Sequence, residues 1–304
     1  MAAVTVCSRF GLLRRTLGFT AGRCTTAFQR NSSTNIDEFD EFQLKYLDGE
    51  DTGIAVFSMN RPERKNALGR KFLFQFTECM KKVKFDKSIR VVILRSLVPG
   101  VFCAGADLKE RAQMTDAETG PFVAGLRASV NDMDNLPMPT IAAIDGVALG
   151  GGTEVSLACD LRVASTTAKM GLVETRLAII PGGGGTQRLP RIINPAVARE
   201  LMYTARVVEG REAERIGMVN HCVEQNENGD AGYLRALKLA QEILPQGPVA
   251  LRMAKMAISR GSEVDLHSAL YFEEAGYSQV IPTRDRREAM KAFMEKRKPK
   301  FEGH

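Results

Sequence analysis

The chain has 304 residues, 44% of them hydrophobic, which is enough for one large domain or two modest ones with a buried core. Its longest apolar runs, Val91–Leu94 and Pro139–Ile144, are far shorter than the ~20 residues of a membrane helix. The sequence therefore predicts no membrane span. Its three histidines and six cysteines form no HExxH motif and no CxxC pair, which argues against a metal site.

Residues 1–36 carry five arginines and no acidic residue, so they hold +5 of the formal net charge of +6. An Arg-rich, Ser/Thr-rich and acid-free start is typical of a mitochondrial transit peptide. Arg14 and Arg15 interrupt the only apolar run that could serve a secretory signal. The sequence predicts a transit peptide over residues 1–36 and a mitochondrial matrix location, with a disordered tail as the simpler alternative.

Residues 37–226 predict alternating strands and helices. Phe42–Tyr46 and Ile54–Met59 flank Asp48-Gly49 and predict a β-hairpin. Apolar residues at helical spacing predict a helix over 72–83, and residues 117–135 also predict a helix. Arg90–Ser96 is apolar on both faces, as expected of a strand inside a parallel sheet. Further strands are predicted over Thr140–Ile144, Leu161–Ser165 and Val219–Val223.

The last quarter of the chain predicts helices only. Helical periodicity covers residues 230–244, 248–260, 263–279 and 285–296, with proline or glycine between them. The polar, glycine-containing segment 226–230 precedes the first of these helices. The expected organisation is thus an α/β core over residues 37–226 followed by an all-helical segment over 227–304.

Three glycine-containing stretches are candidates for chemistry. They are FCAGADLKE at 102–110, GVALGGGTE at 146–154 and IPGGGGTQ at 180–187. None is a P-loop or a dinucleotide fingerprint, and each alone could mark only a tight turn. In the second stretch, however, Gly150–Gly152 follow a strand and open a helix. Unpaired backbone N–H groups at a helix start suit a developing negative charge.

Two glutamates stand out beside these stretches. Glu154 lies in the first turn of the short helix, where a carboxylate either only favours the helix dipole or acts as an acid/base next to an oxyanion site. Glu174 has the apolar neighbours Leu172 and Val173. An acidic side chain in apolar surroundings is either paired or functional.

The chain resembles the crotonase (enoyl-CoA hydratase/isomerase) superfamily from about Phe42 to the C-terminus. The stretches CAGADLKE, GGGTE, GLVET and PGGGGTQRLPR occur in the family's order and at its spacings. The resemblance implies a crotonase-like spiral of β-β-α turns. It also implies that the C-terminal helices are a trimerisation segment, which assembles a homotrimer or a dimer of trimers.

The resemblance further implies roles at matching positions. The N–H groups of Ala106 and Gly151 would hold the thioester oxygen, and Glu154 and Glu174 would hold the water. Gly182 would lie near that water. Ala106, Asp107, Leu108 and Lys109 would line the path of coenzyme A, which belongs to the substrate, so no further cofactor and no metal is expected. The presence of both acids favours hydration over isomerisation.

The acyl group is left open. The resemblance favours 3-methylglutaconyl-CoA, an intermediate of leucine degradation that is hydrated to 3-hydroxy-3-methylglutaryl-CoA, or a short- or medium-chain enoyl-CoA. A distal carboxylate on the acyl group would need a cation, because burying an unpaired charge is costly. The candidate cations are Arg111, Arg188 and Lys255.

Other functions compete with hydration. The basic segment 64–87 resembles a helix to which binding of AU-rich RNA is attributed in one family member, but Phe74 and Glu78 stand where that helix has lysines. A basic helix face is more often simply solvated. Enoyl-CoA isomerisation, a CoA-ester hydrolase or decarboxylase activity and a catalytically silent paralogue are the remaining alternatives.

Overall fold

The computed structural model describes residues 36–38 and 40–304. The predicted transit peptide lies outside the described residues, except for Ile36, which begins the first strand, β1 (Ile36–Glu38). Strands β2 (Phe42–Tyr46) and β3 (Ile54–Met59) pair in antiparallel fashion, which confirms the predicted hairpin.

The larger sheet of the described chain has seven strands. After the hairpin come β4 (Val91–Ser96), β6 (Thr140–Ile144), β8 (Leu161–Ser165) and β11 (His221–Val223). The strand order is β1-β2-β3-β4-β6-β8-β11, and every pair from β3 onward is parallel. In β4, Val92 and Leu94 join one hydrophobic cluster while Val91 and Ile93 join the other. The prediction of a parallel strand buried on both faces is confirmed.

The smaller sheet of the described chain was not predicted from the sequence. It consists of β5 (Val101–Cys103), β7 (Val147–Leu149), β9 (Lys169–Gly171) and β10 (Val208–Glu209), in the order β10-β9-β7-β5. Strands of two or three residues are too short to show an alternating pattern. Strands β4, β6 and β8 of the larger sheet are each followed by one of these strands and then by helix or turn. This confirms the spiral of β-β-α turns.

Helices complete each turn of the spiral. The longest in the core are α1 (Arg70–Lys84) and α3 (Asp116–Asp134), both as predicted. Helix α1 buries Phe72 and Phe76 against Phe42, with ring centroids 5.5 and 5.2 Å apart. The remaining core helices are α2 (Leu108–Arg111), α4 (Gly151–Leu157), α5 (Gly185–Ile192), α6 (Pro195–Thr204) and α7 (Gly210–Arg215).

Four further helices end the chain, as predicted: α8 (Ala231–Ile243), α9 (Pro248–Gly261), α10 (Leu266–Val280) and α11 (Arg284–Met294). Helix α8 covers the larger sheet and buries Ala236 and Ala240 in its second cluster. Helices α9 and α10 pack chiefly on each other. In the described part of the chain, no helix is long and apolar enough to cross a membrane.

Candidate active site

A cavity lies where the smaller sheet meets helices α2 and α4. Six of the predicted site residues line it: Ala106, Leu108, Gly151, Glu154, Glu174 and Gly182. Five of them come from the three glycine-containing stretches, and Glu174 follows β9. The pairing of β7 with β5 and with β9 brings the first two stretches and Glu174 together. The rest of the lining is mainly apolar, so water is poorly retained there and electrostatic interactions are strengthened.

Glu154 is held rigidly. It lies in the first turn of α4 and its side chain is only 2% exposed. Its Oε1 accepts hydrogen bonds from the backbone N–H of Gly183 at 2.8 Å and of Gly185 at 2.7 Å. Burial raises the pKa of Glu154, and these two N–H donors act against the rise. The donors stabilise the ionised carboxylate in one orientation.

Glu174 lies in a different environment. It opens a short 3-10 turn, Glu174–Leu177, directly after β9. Its Oε2 is buried and has no hydrogen-bond partner among the described residues. Burial raises its pKa from 4.5 to about 7, and the nearby negative charge of Glu154 contributes to the rise. This carboxyl group can therefore gain or lose a proton near neutral pH.

The backbones of the first two glycine stretches run side by side at the cavity wall. A Cβ placed on Gly151 would lie 3.7 Å from the Cα of Gly105 and 3.8 Å from the nitrogen of Ala106. Within the described residues, neither the Ala106 N–H nor the Gly151 N–H donates to the protein. Two neighbouring free N–H groups beside a cavity can hold an oxygen that becomes negatively charged.

Glycine is required at two positions of this wall. Gly150 has φ +52°, in the left-handed region that favours glycine. A Cβ on Gly152 would lie 2.2 Å from the carbonyl oxygen of Cys103, so a larger residue would force the two stretches apart. Thr153 fixes the other side of α4, because its hydroxyl donates to the carbonyl of Ala148 at 2.6 Å.

The residues predicted to line the path of coenzyme A differ in where their side chains lie. Leu108 lines the cavity and is half exposed, and its neighbour Lys109 is exposed to solvent. The Asp107 carboxylate instead faces inward, where it pairs with Arg61 at 3.0 Å and caps α2 through the N–H of Glu110. Its side chain holds the loop in place.

Sequence reasoning missed two residues of this site and left the choice of a third open. It expected Gly182 near the water, but it did not foresee that Gly183 and Gly185 hold Glu154. The run of four glycines is the only signal for this contact. It also left Arg111 among three cations, and the structure brings only Arg111 into the cavity lining. Across residues 36–38 and 40–304, no group of three metal-ligating side chains comes together.

Three basic side chains of segment 64–87 form ion pairs with acidic side chains. Lys71 pairs with Asp40, Lys81 with Glu78 at 2.7 Å, and Arg70 with Glu118 at 3.4 Å. Phe74 is 63% exposed on the same helix, α1. Paired charges and an exposed phenyl ring make a poor match for a phosphate backbone, which is bound by free cations.

The chain has extensive similarity to known proteins. The enoyl-CoA hydratase/isomerase family model matches residues 49–304. The mitochondrial methylglutaconyl-CoA hydratase of Rattus norvegicus is 55% identical over 94% of this chain and 91% of that protein. The mitochondrial enoyl-CoA hydratase domain-containing protein 2 of Homo sapiens is 56% identical over 86% of this chain and 90% of that protein.

The fold is similar to that of solved enoyl-CoA hydratases. A crystal structure of an enoyl-CoA hydratase from Bacillus anthracis superposes with a TM-score of 0.82 at 42% identity, covering 87% of this chain and 100% of that one. The match in sequence runs through the stretches that form the cavity, and the match in fold covers the sheets that position them. The chain is therefore an enzyme of the hydro-lyase class that belongs to the enoyl-CoA hydratase/isomerase family.

Proposed function

We propose that the protein adds water across the 2,3 double bond of an enoyl-CoA, with 3-methylglutaconyl-CoA as the preferred substrate and 3-hydroxy-3-methylglutaryl-CoA as the product. The observation that carries the proposal is the pair Glu154 and Glu174 on one apolar cavity beside two free backbone N–H groups. This arrangement supplies a base, an acid and an oxyanion site for one addition reaction.

The oxyanion site acts on the thioester. The N–H groups of Ala106 and Gly151 donate to the thioester oxygen, which becomes enolate-like when the water oxygen bonds to Cβ. Each such donor typically lowers the barrier by ~3–4 kcal/mol. Both donors are backbone groups, so side-chain substitutions elsewhere in the cavity leave them in place.

The two carboxyl groups divide the proton transfers. Glu154, whose ionised form is favoured by two N–H donors, removes a proton from the water as the water oxygen attacks Cβ. Glu174, with a pKa of about 7, delivers a proton to Cα. The product gains the hydroxyl of the water at Cβ and a proton at Cα; Glu154 then releases the proton that it took from the water, and Glu174 takes up a proton before the next turnover. Gly182 lines the cavity beside this water, and no cofactor beyond the substrate's own coenzyme A takes part.

The rest of the substrate is bound at the cavity mouth. Leu108 and the backbone of Ala106 and Asp107 line the start of the path of coenzyme A, and the exposed Lys109 attracts its phosphates. Relatives from Rattus norvegicus, Mus musculus and Homo sapiens support the acyl group proposed, since each is named a methylglutaconyl-CoA hydratase.

A hydration assay tests the proposal. Protein lacking residues 1–36 is assayed with crotonyl-, tiglyl-, 3-methylcrotonyl- and 3-methylglutaconyl-CoA. We expect hydration of the panel, with the highest kcat/KM for 3-methylglutaconyl-CoA. Activity only as an isomerase on a 3-enoyl-CoA would contradict hydration, and a preference for crotonyl-CoA would contradict the choice of substrate alone.

We also infer assembly through the C-terminal helices. Large apolar side chains of α9 and α10 are exposed in the single chain, among them Ile258, Leu266, Leu270 and Tyr277. Large exposed apolar side chains on two helices that pack together are typical of a protein interface. We propose a homotrimer or a dimer of trimers built on segment 227–304. Light scattering should give the mass of three or six chains, whereas a stable and active monomer would refute the assembly.

The location follows from the relatives and the N-terminal sequence. Relatives 55% and 56% identical are named mitochondrial proteins, and residues 1–36 have the composition of a transit peptide. We propose a matrix protein from which this segment is removed. Mass spectrometry of endogenous protein that found Met1–Arg30 retained would contradict removal.

We do not propose RNA binding, because basic side chains of segment 64–87 form internal ion pairs.

A further inference from the structure

The cavity lining contains a single cation. Arg111, the last residue of α2, lines the cavity together with Glu154, Glu174 and apolar or glycine residues. The other two candidate cations for a distal carboxylate, Arg188 and Lys255, are not part of the cavity lining. Arg188 pairs with Asp134 at 2.9 Å and donates to the carbonyl of Gly183. Lys255 pairs with Asp160 at 2.7 Å and donates to the carbonyl of Met138.

Among the described residues, the side chain of Arg111 has no hydrogen-bond or ion-pair partner. Its Nε is buried without a hydrogen bond, and with residues 36–38 and 40–304 its guanidinium forms no ion pair. The guanidinium lies over the ring of Phe122, 5.4 Å from the centroid. Burial lowers the pKa of Arg111, and the charges of Glu154 and Glu174 act against that change. A partly buried guanidinium with unused donors is unfavourable unless an anion completes it.

The chemistry of the reaction places an anion within reach. In a five-carbon acyl group with a terminal carboxylate, the carboxyl carbon lies two carbon–carbon bonds beyond Cβ, hence ~2.5 Å from it. Cβ itself lies between the two glutamates when water adds. Arg111 lines the same cavity as both glutamates and is hydrogen-bonded to neither, so its guanidinium is placed to contact that carboxylate.

We propose that Arg111 binds the distal carboxylate of the acyl group and so selects short dicarboxylic acyl-CoA esters over neutral acyl-CoA esters. This inference rests on the proposed hydration of an acyl-CoA in the same cavity. A guanidinium can donate two parallel N–H bonds to a carboxylate, whereas the ammonium group of lysine cannot. The guanidinium also compensates the substrate's negative charge, which would otherwise face the carboxyl groups of Glu154 and Glu174 without a cation.

A competing role for Arg111 is to orient the two glutamates or set their charge. That role would affect every substrate equally, because the glutamates act on the double bond and not on the acyl tail. Substrate selection affects only substrates that carry the distal carboxylate. The two roles are therefore separated by comparing two substrates that differ in that group alone.

The experiment measures kcat/KM for 3-methylglutaconyl-CoA and for 3-methylcrotonyl-CoA, which has a methyl group where the former has a carboxymethyl group. Wild type is compared with Arg111→Gln, Arg111→Lys and the control Arg199→Gln, which removes an exposed charge on α6. We expect Arg111→Gln to lose ~10- to 100-fold with 3-methylglutaconyl-CoA, mainly through KM, and to change little with 3-methylcrotonyl-CoA. Arg111→Lys should recover part of the loss, and the control should match wild type.

Inhibition by saturated esters provides a readout that does not depend on hydration. Glutaryl-CoA carries the distal carboxylate and butyryl-CoA does not. Wild type should bind glutaryl-CoA more tightly, and Arg111→Gln should remove that advantage. An equal loss with both substrates, or an unchanged glutaryl-CoA advantage, would overturn the role of Arg111. If wild type bound glutaryl-CoA through Arg111 but failed to hydrate 3-methylglutaconyl-CoA, the proposed substrate would be wrong and the carboxylate site would stand.

Discussion

The surroundings of Glu154 and of Glu174 differ although both residues face one cavity. Glu154 lies on a helix, nearly fully buried, with one oxygen held by two backbone N–H groups. Glu174 opens a short turn and has a buried oxygen without a partner among the described residues. Burial raises the pKa of both carboxyl groups, but two N–H donors oppose the rise at Glu154, whereas no such pair of donors from the described residues opposes it at Glu174, which reaches a pKa of about 7. This difference supports the proposed roles of Glu154 as base and Glu174 as acid.

The largest expected effect is loss of either carboxylate. Glu154→Gln and Glu174→Gln keep the shape of the side chain and remove its acid/base capacity. Each should lower the hydration rate by roughly 10²–10⁴, measured by loss of the enoyl thioester absorbance. The double variant should lower the hydration rate by a factor far smaller than the product of the two single-variant factors, because the residues act as a unit.

Two controls accompany these variants. Affinity for a saturated acyl-CoA should stay near wild type, since the oxyanion donors are backbone groups. In D₂O the wild type should place one deuterium at Cα, and Glu174→Gln should slow this step most. If one glutamine variant kept nearly full hydration activity while the other was inactive, the comparison would fail and isomerisation would become the reaction to test.

The second effect is a pH dependence that belongs to Glu174. Its pKa is raised from 4.5 to about 7 by burial, so the group is protonated below about pH 7 and ionised above. Because it must deliver a proton, kcat/KM should fall about tenfold per pH unit above that pKa. The residual activity of Glu174→Gln should not show this fall of kcat/KM above pH 7. A wild-type profile that rose through pH 7 to 9 would assign the roles the other way round.

The third effect concerns how Glu154 is held. A Cβ on Gly183 would lie 3.0 Å from Oε2 of Glu154, so Gly183→Ala should push the carboxylate by a few tenths of an ångström. We expect kcat to fall ~10-fold with little change in stability, since small displacements of a catalytic group are costly. Gly120→Ala, where a Cβ meets nothing within 4 Å, is the matched control and should be fully active.

The smallest expected effect is on stability. Between pH 4.5 and about 7 the folded protein binds the proton of Glu174 more tightly than the unfolded chain does. The free energy of unfolding therefore falls as pH rises across that range, on the order of 1–2 kcal/mol after solvent screening. Glu174→Gln should lack this loss. Its Tm relative to wild type should be higher at pH 8 than at pH 5, and an equal difference at both values would contradict the burial of an ionisable Glu174.

Much of the fold could be predicted from the sequence because its long elements carry strong periodic patterns. The hairpin, the buried strand β4 and helices α1, α3 and α8–α11 were all expected near their observed positions. The smaller sheet could not be predicted. Its strands have two or three residues and are stabilised by pairing with one another, which local sequence does not record.

For the site, the sequence by itself determined which residues are present: two glutamates in apolar settings, and glycines where backbones approach each other. Only the tertiary structure decided what each group does. The contact of Gly183 and Gly185 with Glu154 joins positions 29 and 31 residues apart. The entry of Arg111 into the cavity, while Arg188 and Lys255 form ion pairs elsewhere, likewise depends on contacts between distant segments. Burial and hydrogen bonding set the charge of these groups, and both arise only when the sheets bring those segments together.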